Sequence, residues 1–162
     1  MSHISRAGDV FLTRNTDAVG NDSPGYWNHA AISAGTYVIE AQAKPNAVIA
    51  VHLADFIARY PEFLLLRNPD AQLGYRAAQH ARSLVGTKYR KIASIFRFLR
   101  RERRGENCVS VVRKAYKRAR GADPRWLKPD DVAASGLFYT VVHYRDYNNW
   151  RPPSNWLAGR IA

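Results

Sequence analysis

The stretch "WNHAAISAGTYVIEAQ" (Trp27–Gln42) sets two short strand-like runs on either side of a glycine, the pattern of a β-hairpin. With Ala34 and Gly35 taken as a two-residue turn, Gly35 supplies the positive φ that tight turns need. Ser33 then faces Thr36, and His29 faces Glu40. Directly opposed residues share a face, with Cβ atoms about 4.5 to 5.5 Å apart, close enough for a carboxylate to accept an imidazole N–H. A turn longer by one residue would send the two side chains to opposite faces. Glu40 stands in an otherwise apolar run, "YVIEA", where burying an acid is costly without a partner. A cross-strand His/Glu pair with no catalytic task is the plainer reading of the same geometry.

Outward from the hairpin, "GDVFLTR" (Gly8–Arg14) reads as a first strand, followed by a polar loop, "NTDAVGNDSPG". Downstream, "AVIAVHL" (Ala47–Leu53) and "FLLLR" (Phe63–Arg67) read as strands around a short helix, "LADFIARY", ended by Pro61. From Pro69 the period lengthens: Leu73, Ala77, Ala81 and Leu84 predict a helix closed by Gly86. A basic helix over Ile92–Arg101 and a second helix follow, the latter with Cys108, Val112, Ala115 and Ala119 on one face. "KPDDVAAS" opens a short helix on Pro129, and "LFYTVVHYRD" is a last strand. Strands first, helices later and a strand returning at the end predict an α+β fold, with an antiparallel sheet against a helical layer. The 162 residues suit one domain, with a core over about 8–145 and an irregular aromatic and basic tail over 146–162.

Charge is unevenly spread. Of a net +12, the segment Lys88–Arg120 supplies +11, with thirteen Lys and Arg against Glu102 and Glu106. Such a patch attracts any polyanion, because the attraction is Coulombic; a solvated helical face that aids solubility is the plainer reading. The N-terminal residues lack the apolar core of a signal peptide, and no window approaches the roughly 18 apolar residues of a membrane span. The expectation is a soluble protein, cytoplasmic or exported without a signal peptide. A single cysteine, Cys108, precludes an internal disulfide.

Cys108 falls in the first turn of its helix, where the helix dipole and nearby arginines favour thiolate over thiol. Free cysteines are also common core residues, so a nucleophile needs a histidine and a group to orient it. Of the five histidines, His3 lies near the terminus, His80 on a basic helix, and His52 and His143 on strands; His29 alone has an acid set opposite it. No zinc-type His/Cys spacing, phosphate-binding glycine loop or serine-hydrolase elbow is present, so neither metal nor cofactor is expected.

The order His29, Glu40, Cys108, with "GDVFL", "WNHAAI", "YVIEA", "VGTKY", "NCVSVVRKAY" and "LKPDDVAASGLFYTV", resembles the circularly permuted papain-fold amidases related to the NlpC group, of the YaeF/YiiX type. The resemblance implies a permuted papain-like fold in which Cys108 is the nucleophile, His29 the general base and Glu40 the residue orienting it. It implies that Tyr89, in "GTKY", lines the substrate cleft, beside the wall where Asn107 stands in place of the family's frequent Tyr or Phe. The implied reaction is amide hydrolysis through an acyl-enzyme, on a peptide, a peptidoglycan stem or an isopeptide; lipid acyl transfer occurs among permuted relatives. The arginines Arg97, Arg100, Arg101, Arg103 and Arg104 are not a family feature and would suit an anionic membrane or another polyanion. A basic nucleic-acid-binding module, with Cys108 in its core, is the reading from another class.

Overall fold

The computed structural model describes residues 4–14, 25–42, 45–88 and 106–146. The loop after the first strand, the basic helix expected over Ile92–Arg101, Tyr89, the five arginines from Arg97 to Arg104 and the aromatic tail lie outside the described residues. The strands are β1 (Val10–Arg14), β2 (His29–Ser33), β3 (Tyr37–Gln42), β4 (Ala47–His52), β5 (Glu62–Arg67) and β6 (Tyr139–Arg145). They form one sheet in the order β4-β3-β2-β1-β5-β6, antiparallel at every pairing. The fold is α+β.

The helices are α1 (Leu53–Ala58), α2 (Ala71–Arg82), α3 (Glu106–Arg120) and α4 (Pro129–Ala133). On one face of the sheet, Val10, Leu12, Ala30, Ile32 and Ile39 pack against Ala77 and Ala81 of α2 and Val112, Ala115 and Tyr116 of α3. On the other, Phe11, Ala31, Val38, Phe63 and Leu65 pack against Leu53 and Phe56 of α1 and against Tyr60. Strand β1 is buried on both sides, which is why "VFL" reads as a continuous apolar run instead of an alternation. Each fully buried side chain of this size contributes about 1.5 to 3 kcal/mol by leaving water.

Helix α2 starts where Asp70 accepts from the backbone N–H groups of Gln72 (2.9 Å) and Leu73 (3.0 Å), satisfying donors the first turn leaves unpaired. It ends at Arg82, earlier than its apolar spacing predicts. Gly86 lies in a following turn, where its N–H donates to the carbonyl of Val48 (2.9 Å) and ties the turn to β4. The tight fit of α2 against the turn before β1 depends on two glycines. A Cβ on Gly8 would stand 2.3 Å from the backbone of Gly74, and Gly8 takes a φ of +93°. The carbonyl of Gly8 also accepts from the Tyr116 hydroxyl (2.6 Å), which locks α3 to the same corner.

Candidate active site

The hairpin turns one residue later than the sequence predicts. The N–H of Ala34 donates to the Tyr37 carbonyl (2.7 Å), Ser33 pairs with Val38 and Ile32 with Ile39, so Gly35 and Thr36 occupy the turn. Gly35 still supplies the positive φ, +94°, now at the first central position. The pairing is therefore displaced by two residues, and a displacement of two preserves the face of every side chain. His29 is diagonal to Glu40, not opposite it, and the two still meet: imidazole Nε2 and carboxylate Oε2 are 2.7 Å apart.

The β2–β3 ladder comprises only the Ile32–Ile39 and Ser33–Val38 pairs, whereas β3 and β4 pair along the whole of Tyr37–Gln42. Toward His29 the ladder stops. The N–H of Ser33 donates to Asp9 on the β1 side (2.7 Å), and N–H groups alternate along an antiparallel strand, so that of Ala30 turns toward β3. The ladder leaves it unpaired, and the sulfur of Cys108 accepts it together with the N–H of Val109. The helix that carries Cys108 packs on one face of the sheet, while His29 and Glu40 belong to the face that carries Phe56 and Tyr60. They meet because the sheet is open at this point.

Cys108 is hydrogen-bonded to His29 through their side chains. Since Nε2 is committed to Glu40, Nδ1 is the ring nitrogen left for the thiol. Burial by itself would raise the thiol's pKa; the bond and charge of His29 and the two backbone N–H groups outweigh it and hold Cys108 below the usual cysteine value. Burial would likewise depress His29, but Tyr60, the Cys108 sulfur and the Glu40 carboxylate raise it well above the usual histidine value. Opposite shifts in hydrogen-bonded partners favour a thiolate–imidazolium pair.

Glu40 is wholly buried and yet ionised. Burial would raise its pKa, and the contacts of His29 and Arg59 lower it. Its Oε1 accepts from Gln42 Nε2 (2.9 Å) and from Arg59, the residue that caps the C-terminus of α1. A buried carboxylate requires such partners, since an unpaired one is among the costliest groups to enclose. Tyr60 stacks on the His29 ring, with centroids 5.9 Å apart and planes 21° apart. The acid has no exposed surface, whereas Cys108 keeps 6% and His29 9%.

Three of the five site residues expected from sequence thus converge. Tyr89 lies outside the described residues, and Asn107 contributes its backbone to the first turn of α3. Sequence reasoning missed Gln42, Arg59 and Tyr60. Gln42 was legible, since it follows Glu40 by two residues and shares its face; Arg59 and Tyr60 reach the site through the placement of α1 against the sheet.

A second buried acid holds a second histidine. Oε1 of Glu62 accepts from the Tyr26 hydroxyl (2.7 Å), His143 Nε2 (2.7 Å) and the guanidinium of Arg145 (2.9 Å). His143 also meets the ring of Trp27 edge-on at 5.5 Å. Among the described residues, no group of three or more His, Cys, Asp and Glu side chains could hold a metal ion, and no helix is long and apolar enough to cross a membrane. Comparison with protein-family models and with curated protein sequences finds no match for the chain.

Proposed function

We propose that this protein is a cysteine hydrolase of the permuted papain-like kind, working through Cys108, His29 and Glu40 on an amide bond. The observation that carries the reading is the hydrogen-bonded Cys108–His29 pair with its opposed pKa shifts, anchored by Glu40 on the far imidazole nitrogen. A core cysteine needs no such arrangement. The order of the residues, with histidine and acid on strands that precede the nucleophile helix, fits a permuted papain-like chain.

In the reaction the Cys108 thiolate attacks the acyl carbonyl carbon. A C–S bond forms, and the oxygen takes the negative charge, stabilised by backbone N–H groups at the start of α3. As the tetrahedral species collapses, the C–N bond breaks and His29 passes its proton to the departing amine. Water then attacks the thioester, neutral His29 accepts its proton, and the C–S bond breaks. The acid product leaves, and the thiolate–imidazolium pair is restored. Glu40 keeps its charge throughout and fixes the imidazole's orientation and tautomer. A lipid ester would follow the same steps with an alkoxide leaving group, and the cationic segment Lys88–Arg120 favours that substrate as the second choice.

Cys108 is the only cysteine, so every thiol adduct reports on it alone. Incubation of the protein with cell extract, acid quench and intact-protein mass spectrometry should reveal an acyl adduct that is absent from Cys108→Ser. The adduct's mass distinguishes a peptide-derived from a fatty acyl group. A protein that takes up no acyl group, and whose thiol alkylates no faster than a free cysteine, is not this hydrolase.

A further inference from the structure

We propose a second ligand site, for a phosphate-bearing molecule, in the groove between the C-terminal halves of α2 and α3. The groove has a volume of about 550 Å³ and is lined by His80, Ser83 and Leu84 from α2 and the turn after it, and by Lys114, Lys117 and Arg118 from α3. That volume lies in the range of small-ligand sites and exceeds what a bare inorganic ion fills. Three basic side chains line it, and none of its described lining residues is an acid.

Asp123, the acid that meets the groove's Lys117, is already engaged. Both carboxylate oxygens of Asp123 bind the guanidinium of Arg113 (2.8 and 2.9 Å), and Lys117 reaches the same carboxylate at 3.3 Å. Lys114 and Arg118, one helical turn apart on α3, have no acidic partner among the described residues, and like charges at that spacing oppose each other. Burial, with the charges of Arg118 and Lys117, holds Lys114 below the usual lysine value. An anion in the groove would relieve that opposition.

The donor set favours phosphate over carboxylate. A guanidinium fork, two ammonium groups, a hydroxyl and an imidazole offer more donors than two carboxylate oxygens can accept, whereas a phosphate presents three. Leu84 gives an apolar contact for the remainder of the ligand. The cations lie six to ten residues beyond Cys108, about 9 to 15 Å along the helix axis, so the groove is separate from the triad. The site stands whether or not Cys108 is a nucleophile.

The test uses the full chain with inorganic pyrophosphate, and in parallel with vesicles of phosphatidylcholine with and without phosphatidic acid. Isothermal titration at constant ionic strength should show saturable pyrophosphate binding, weakened at least tenfold in Lys114→Gln/Arg118→Gln. It should be little changed in Arg76→Gln/Lys88→Gln, which removes the same charge from exposed positions elsewhere. Amide shift mapping on the wild-type protein, which needs no variant to fold, should place the perturbed residues around His80, Ser83 and Lys114. Vesicle binding competed by pyrophosphate identifies the ligand as a lipid headgroup; pyrophosphate binding without vesicle binding identifies a soluble phosphorylated molecule. Absence of saturation, equal weakening by both double variants, or shifts centred away from the groove would overturn the proposal.

Discussion

Ile32 and Ile39 form the last pair of the β2–β3 ladder, and the Ala30 N–H that follows is taken by the Cys108 sulfur instead of by β3. The interruption of the sheet is what lets a helix on one face reach a histidine on the other. Its consequences can be measured separately.

The pH dependence of stability follows from the directions of the shifts. Glu40 is held below its ordinary value of 4.5, so its contribution is fully present above that pH and is lost as pH falls through the lower, folded value. His29 is held above 6.5, so its contribution is fully present below 6.5 and is lost as pH rises through the higher, folded value. Urea unfolding of wild type and Glu40→Gln across pH 3 to 8 should show the acid-side loss in the wild type and a flatter curve in the variant. Parallel curves would place the acid's titration elsewhere.

Arg59→Ala leaves Glu40 buried with a charge but without its guanidinium partner. Breaking such a pair costs on the order of 3 to 5 kcal/mol, partly offset here because Gln42 and His29 remain. Denaturant unfolding should show a loss of at least about 2 kcal/mol, and Arg59→Lys should recover part of it. A loss under about 0.5 kcal/mol would mean that the carboxylate is satisfied without Arg59.

Gly8→Ala combines a positive φ with a Cβ set 2.3 Å from the Gly74 backbone, which has no side chain to move aside. The expected destabilisation exceeds about 3 kcal/mol, whereas Gly35→Ala, with nothing within 4 Å, meets conformational strain alone at about 1 kcal/mol. Thermal melts of the two variants should rank them in that order. Equal effects would contradict the close approach of α2 to the turn at Gly8.

Glu62→Gln weakens the contacts of Tyr26, His143 and Arg145 and should cost about 1 to 3 kcal/mol. Alkylation of Cys108 should be unchanged, because the triad uses the other buried acid. A fall in labelling comparable to that of Glu40→Gln would join the two clusters into one site.

Much of this was legible in the sequence, and the reasons for the exceptions are physical. The face shared by His29 and Glu40 followed from strand alternation, and the first-turn position of Cys108 from helical periodicity. The register did not follow, because Ala34–Gly35 and Gly35–Thr36 both place one glycine in a two-residue turn; the Ala34–Tyr37 hydrogen bond selects the second. The end of α2 was misplaced because Gly86 takes its positive φ in a turn bonded to β4 and not as a helix cap. Arg59 had no local signature, since its role depends on where α1 docks. The break in the β2–β3 ladder was invisible for a related reason: residues on both strands retain strand propensity, and the pairing ends where α3 sets Cys108 against the Ala30 N–H.

The most direct test is a spectroscopic titration of the Cys108 thiolate, read as the far-ultraviolet absorbance difference between the wild type and Cys108→Ser, repeated in the His29→Ala background. The prediction is a thiol that ionises below its ordinary value of 9.0 in the wild type and moves upward by at least one pH unit without the imidazole. A thiol that titrates at or above 9.0 in both backgrounds would show that Cys108 is core packing and not a nucleophile.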